Sequence, residues 1–183
     1  MAKILSPLSL LVTFSLICFN GFMVIIGVDP GTARLGWGVV IEKKGDQAVG
    51  DYGCIETDKS KSDSQRLGEL YKKFLLLLKK INPDVIAIED LFFFKNKKTI
   101  IKVSQARGVI LLAAHQQKIK NFSYSPLQIK MAVTGYGRAD KNQIQNMVKA
   151  ILKLPAIPKP DDTADALAVA LTHAFTYKLK SII

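Results

Sequence analysis

The stretch Asp162-Thr163-Ala164-Asp165-Ala166-Leu167-Ala168-Val169-Ala170-Leu171 carries two carboxylates at the head of a segment that is apolar nearly all round. A helix of that composition has no water-facing side, so it must lie against another element inside the fold. Asp162 and Asp165 are three residues apart, which puts both on one helical face. They fall near the helix N-terminus, where negative charge is tolerated. The pattern predicts a helix from about Asp162 to Tyr177. Whatever surface receives it receives two acids at one edge.

The rest of the chain supplies a sheet for that helix to dock on. Val24–Val28 is an apolar run stopped by Asp29-Pro30-Gly31 and reads as a buried strand followed by a turn. Gly36–Glu42 and Ala48–Thr57 read as two more strands around the turn-like Lys43–Gln47. A helix follows, capped by Asp63 or Ser64, with Leu67, Leu70, Tyr71, Phe74, Leu77, Leu78 and Ile81 at a period of about 3.6. Asn82-Pro83 ends it. Asp84–Asp90 is a strand, about Lys98 to Lys118 a helix, and Asn121–Tyr124 a fifth short strand. Ser125-Pro126 opens a short helix. Thr134–Ala139 is a glycine-rich loop, and Asp140 caps a helix running to about Lys153. The order β-β-β-α-β-α-β-α-α-α implies an α/β fold, a five-stranded mixed sheet flanked by helices.

Two further acids end strands. Asp29 closes the first and Glu89 lies near the end of the fourth. If those strands are parallel neighbours, their carboxyl ends lie about 4.8 Å apart, and ligand sites in such sheets collect there. Two carboxylates so placed repel unless a positive charge sits between them. A divalent cation resolves the conflict, and oxygen-only ligands suit Mg²⁺. Taken singly, each acid has a plain explanation: Asp29 as a turn residue, Asp162 as an N-cap, Glu89 as a solvated strand end. Together Asp29, Glu89, Asp162 and Asp165 form a candidate two-metal site for in-line phosphoryl displacement.

Composition narrows the partner. The formal charge is +11, and Lys3 is the only charged residue among the first 22, so residues 23–183 carry 11 − 1 = +10. A domain this basic suits a polyanion, and nucleic acid is the commonest. Two cysteines, Cys18 and Cys54, make no disulfide framework or CxxC motif, which fits a reducing, cytoplasmic setting. His115 and His173 give no zinc spacing and no triad. Residues 1–22 form an apolar N-terminal extension with three competing readings: a signal peptide, a membrane anchor, or a start assigned too early with translation beginning at Met23. The third is favoured, so no stable membrane association is expected, and residues 23–183 form one domain.

The motifs then become recognisable. Ile26-Gly27-Val28-Asp29-Pro30-Gly31 with Gly36-Trp37-Gly38 resembles the opening of the RuvC-type crossover junction endodeoxyribonucleases, the Holliday junction resolvases. Ala87-Ile88-Glu89 with Phe92, Gln105-Ala106-Arg107-Gly108, Lys130, Gly135-Tyr136-Gly137, Lys141 and Lys153-Leu154-Pro155 continue the likeness. Asp162-Thr163-Ala164-Asp165-Ala166-Leu167-Ala168 matches the last motif. The resemblance covers essentially all of 23–183. It implies a ribonuclease-H-like fold, a homodimer, and symmetric nicking of four-way junction DNA with Mg²⁺, two ions per subunit and Mn²⁺ as a substitute. It places the four family acids on Asp29, Glu89, Asp162 and Asp165. The third is Asp or His in the family. The 156–161 loop is one residue longer than the family pattern, which makes Asp161 a competitor for that position. The resemblance also implies the RuvA–RuvB branch-migration complex as a partner.

Basic and aromatic residues surround this set. Leu91-Phe92-Phe93-Phe94 follows Glu89 directly. An exposed aromatic beside a cutting site can stack on an unpaired base, the role the resemblance gives to Phe92. Lys95, Lys97, Lys98 and Lys102 form a basic edge. Lys130 and Lys141 match family positions that contact DNA, and Lys141 stands in a first helical turn, where a cation is mildly unfavourable. Arg107 reads as structural or as a dimer contact. Competing functions are another ribonuclease-H-like nuclease, an actin-like sugar kinase or ATPase, and a junction-binding protein without catalysis. The kinase needs a second lobe that this length cannot hold, and the four acids disfavour the inert binder.

Overall fold

Side-chain alternation along the first strand sorts the protein into layers. The computed structural model describes residues 21–90 and 97–180, those at 97–99 and 178–180 by backbone alone. Strand β1 spans Phe22–Asp29. Val24, Ile26 and Val28 enter one core, and Ile25 enters the other, as a period of two requires for a strand buried on both faces. β2 (Arg34–Lys43) and β3 (Asp46–Glu56) complete an antiparallel meander. They meet in a two-residue turn, Lys44-Gly45, with φ of 52° and 101°; positive φ at both positions matches the strand twist.

Helix α1 (Asp63–Ile81) follows. Its N-cap is Ser62, one residue before Asp63 and two before Ser64, the expected caps. Ser62 accepts from the backbone N–H of Gln65, whose side chain returns the bond. Only Ser62 has a glutamine at the N3 position, and that reciprocal bonding selects it over its neighbours. At the other end Asn82 adopts a left-handed conformation, and its N–H bonds back to Leu78. β4 (Val85–Glu89) then runs parallel to β1. Helix α2 (Lys97–Gln116) leads to β5 (Lys120–Tyr124), parallel to β4. The sheet order is β3-β2-β1-β4-β5, with β1 central.

Three helices close the chain: α3 (Pro126–Thr134), α4 (Lys141–Ile151) and α5 (Asp161–Lys180). Ser125 and Asp140 cap α3 and α4 through capping boxes, as their residue types predict. α1 and α2 cover one face of the sheet, with Leu70, Phe74, Leu78 and Ile110 fully or almost fully buried. α3, α4 and α5 cover the other. In α5, Ala164 and Ala166–Leu171 are all at most 1% exposed. The all-round apolar helix is therefore interior, and the mixed five-stranded sheet with helices on both faces is the architecture expected. No helix among the described residues is long and apolar enough to cross a membrane.

Candidate active site

β1 and β4 pair in register up to Val28 and Ile88. The next residue on each strand is an acid, so Asp29 and Glu89 end neighbouring strands side by side. Alternation turns both toward α5: Ile25 and Gly27 precede Asp29 on that side, and Val85 and Ala87 precede Glu89.

α5 comes within reach of them because the strands beneath it carry glycines. A Cβ on Gly27 would overlap the carbonyl oxygen of Ala166, and one on Gly36 would overlap the carbonyl oxygen of Asp162. One on Gly38 would stand 2.6 Å from the Leu167 side chain. Gly36 also pairs directly with Asp29 across the β1–β2 ladder. Bare backbone at these positions seats the first turn of α5 over the strand ends, and that turn carries Asp162 and Asp165.

The acids act on one another. Burial pushes the Asp29 carboxyl up to about 8, and the charges of Glu89, Asp165 and Asp162 add to the push. Burial and then the Asp165 charge raise Glu89 to about 7. Asp165 is also raised by burial, against the pull of its bond with Lys141. Lys141 Nζ lies 2.9 Å from Asp165 Oδ2 and 3.6 Å from Asp161 Oδ2. It is the positive charge that opposes the rise at both Asp29 and Glu89. Carboxyls raised first by burial and then by one another are easier to ionise when a cation joins them.

Among the described residues no three of these groups close into a finished cation cage. The donor set is still all oxygen and half-buried, which is the chemistry a hard divalent cation matches.

Asp161 and Asp162 diverge. Asp161 is drawn outward by Lys159, 2.9 Å away, and its carboxyl is held below the usual range by that contact and by Lys141. Asp162 is one of the charges acting on Asp29, and Asp161 is not. Asp162 Oδ2 also lies 3.4 Å from Arg34 Nη1, and Arg34 Nε donates to Glu56 at 3.2 Å. Arg34 was not among the residues expected here; its one local cue is its place at the start of β2, two residues before Gly36. Lys130, Glu89 and Asp165 share a small cleft of about 160 Å³ between α3, α4 and α5. Phe92 and Lys95 lie outside the described residues, as do Phe93 and Phe94.

Other nucleophile chemistries find no support among the described residues. Burial, then the Asp162 charge, raises the Cys54 thiol to about 11, so it is not a thiolate at neutral pH. His173 is buried, with Nδ1 2.7 Å from the Tyr124 hydroxyl, and its ring packs on Phe122. His115 is exposed at the far end of α2. Arg107 has a structural setting: Nη2 donates to Ser123 Oγ at 2.7 Å and lies 3.4 Å from Asp90.

This chain is similar to known proteins over most of its length. Residues 25–173 match the family described as crossover junction endodeoxyribonuclease RuvC. A protein of that name from Fusobacterium nucleatum is 53% identical over 151 residues, which is 82% of this chain and 80% of the relative. One from Halothermothrix orenii is 52% identical over 158 residues, covering 86% and 95%. The structure of Thermus thermophilus RuvC superposes with a TM-score of 0.79 at 36% identity, covering 86% of this chain and 97% of that one. T. thermophilus RuvC in complex with Holliday junction substrate gives 0.81 at 34% identity, covering 87% and 97%. With the ordered motifs, the mixed sheet and the acids gathered at one end of it, these likenesses agree: the chain belongs to the crossover junction endodeoxyribonuclease RuvC family.

Proposed function

We propose that this protein is a divalent-cation-dependent endonuclease that resolves four-way DNA junctions by paired, symmetric nicks. The observation that carries the reading is the cluster itself: Asp29 and Glu89 end neighbouring parallel strands beneath the helix that carries Asp162 and Asp165, and burial, then the neighbouring acids, raise their carboxyls to about 8 and about 7. Family membership and the T. thermophilus relative bound to Holliday junction substrate support the choice of DNA.

Asp29, Glu89, Asp162 and Asp165 are the catalytic acids and hold the cation, and Asp162 takes the third position in preference to Asp161. The proposed cofactor is Mg²⁺, two ions per subunit, with Mn²⁺ as a substitute. When bound, it supplies Lewis-acid stabilisation of the charge that develops on the scissile phosphate. Lys141, now against Asp165, turns to a phosphate oxygen once the acids have another counter-charge. Lys130 lines the same cleft as Glu89 and Asp165 and positions the strand. Phe92 and Lys95 contribute DNA contacts by family resemblance. Symmetric nicks need two such centres, which a homodimer provides. The RuvA–RuvB complex is the proposed partner and the cytoplasm the proposed location, with a single domain whose first strand starts at Phe22, one residue before the expected Met23.

The test is a synthetic four-way junction, labelled on each strand in turn. Added Mg²⁺ is expected to give two nicks at symmetric positions; scattered, unpaired nicks would contradict a dimeric resolvase. Lys130→Ala and Lys141→Ala are each expected to weaken junction binding and to lower the slope of log K against log salt by about 1. An unchanged slope would remove that lysine from the DNA surface.

A further inference from the structure

A second cavity, of about 770 Å³, opens on the other side of Asp162. It lies between the turn joining β1 to β2, the end of β3, and the facing parts of α1 and α2. Thr32, Arg34, Thr57, Lys59, Arg66 and Lys102 form its polar wall. Its charges are unequal. Glu56 and Asp162 bring two negative charges against four positive ones. Arg34 is engaged by both of those acids, and Lys102 Nζ lies 3.3 Å from Asp63. Arg66 and Lys59 make no ion pair among the described residues.

Arg66 is held in place by a chain of bonds. Its Nε donates to Thr57 Oγ1 at 2.9 Å, and Thr57 Oγ1 donates to the Thr32 carbonyl at 2.7 Å. Thr32 Oγ1 in turn donates to the Lys102 carbonyl at 2.8 Å. Thr32 and Thr57 are both buried. The chain crosses three elements and fixes the guanidinium in the wall by one nitrogen. Nη2 is buried and has no acceptor. A buried charged donor without an acceptor is unfavourable, and arginine's planar fork suits the paired oxygens of a phosphate.

We infer that this cavity is a phosphate subsite, in which Arg66 and Lys59 receive a backbone phosphate of the junction strand that flanks the one cut beside Asp162. The inference rests on the DNA-cleaving reading given above and adds to it a second grip on the same strand. An arriving phosphate gives Nη2 its acceptor after a small turn of the guanidinium. The Thr57–Thr32 chain ties that grip to the turn that immediately follows Asp29. A phosphate seated there therefore helps to set the position of the strand over the acids.

The test uses the full-length protein without divalent cation, so that binding is read apart from cutting. Arg66→Gln is expected to weaken junction binding about tenfold and to lower the salt slope by about 1, with Arg66→Lys restoring most of the slope. Neutral methylphosphonates are placed one at a time at the phosphates flanking the cut. One position is expected to weaken wild-type binding about tenfold and Arg66→Gln binding hardly at all. Lys59→Gln, on an exposed side chain, gives the same reading in a smaller degree should Arg66→Gln fail to fold. If wild type binds the junction, and cuts it once Mg²⁺ is added, while the variants and all flanking methylphosphonates leave affinity and slope unchanged, the subsite is wrong and the resolvase reading stands. If wild type does not bind the junction and does not cut it when Mg²⁺ is added, both readings fall.

Discussion

Gly36→Ala is expected to lower junction cleavage about a hundredfold, though the substitution adds one methyl group and removes nothing that touches DNA. The new Cβ would overlap the Asp162 carbonyl oxygen and stand 2.9 Å from Asp162 Cβ. A backbone carbonyl in the first turn of a long, buried helix cannot swing aside as a side chain can. α5 would have to lift, carrying Asp162 and Asp165 away from Asp29 and Glu89. Displacements of about 1 Å at reacting groups cost on the order of 10²-fold in rate. Forcing the overlap also destabilises the fold by about 1–3 kcal/mol. Gly68→Ala is the control, because nothing lies within 4 Å of its added Cβ on α1. It should stabilise by about 0.5–1 kcal/mol and leave cleavage unchanged. Thermal melts and single-turnover cleavage of the two variants separate a helix-seating role from a general intolerance of alanine.

Asp29→Asn is expected to reduce cleavage by about a thousandfold or more while junction binding persists, since a negative charge leaves the phosphate's path. The same change should make the cation-free protein more stable at pH 8. Asp29 and Glu89 are raised from 3.8 and 4.5 to about 8 and about 7. Between those limits the folded, cation-free protein holds protons that the unfolded chain has released. The unfolded state then binds fewer protons than the native state, so stability falls as pH rises across the window. Asparagine removes Asp29's share of that loss, about 1–3 kcal/mol at pH 8. Mg²⁺ should raise the Tm of wild type more at pH 8 than at pH 5, and should raise that of Asp29→Asn much less. A cation-free wild type as stable at pH 8 as at pH 5 would mean that burial and mutual repulsion do not raise these acids in the folded protein.

How far the sequence could carry these conclusions differs residue by residue. Asp29 and Glu89 were legible as strand-end acids because strand boundaries are local signals; that the two strands pair in parallel was only a condition in the sequence, and the structure supplies it. The shared face of Asp162 and Asp165 was legible from their three-residue spacing, but an all-round apolar helix does not say which face meets the sheet, and Asp161 stayed a competitor to Asp162 until the helix was in place. The glycines were visible only as motif letters. A glycine that permits a turn and a glycine that admits a carbonyl oxygen look the same until the helix above it is in place. Arg34 reaches Asp162 across 128 residues of chain, and no periodicity encodes that contact. Arg66 sits in the first turns of α1, where a basic residue reads as solvated surface until Thr57 and Thr32 are brought against it. The cap of α1 was misplaced because Ser62, Asp63 and Ser64 are all good caps, and only the reach of Gln65 decides among them.

The central claim is that the four acids serve a junction-selective nuclease. Its most direct test compares Mg²⁺-dependent cleavage of a synthetic four-way junction with cleavage of linear duplexes built from the same arm sequences, under single-turnover conditions. The account predicts rapid cutting of the junction, little of the duplexes, and none of either without a divalent cation. Equal cutting of junction and duplex, or cutting that survives removal of the cation, would contradict it.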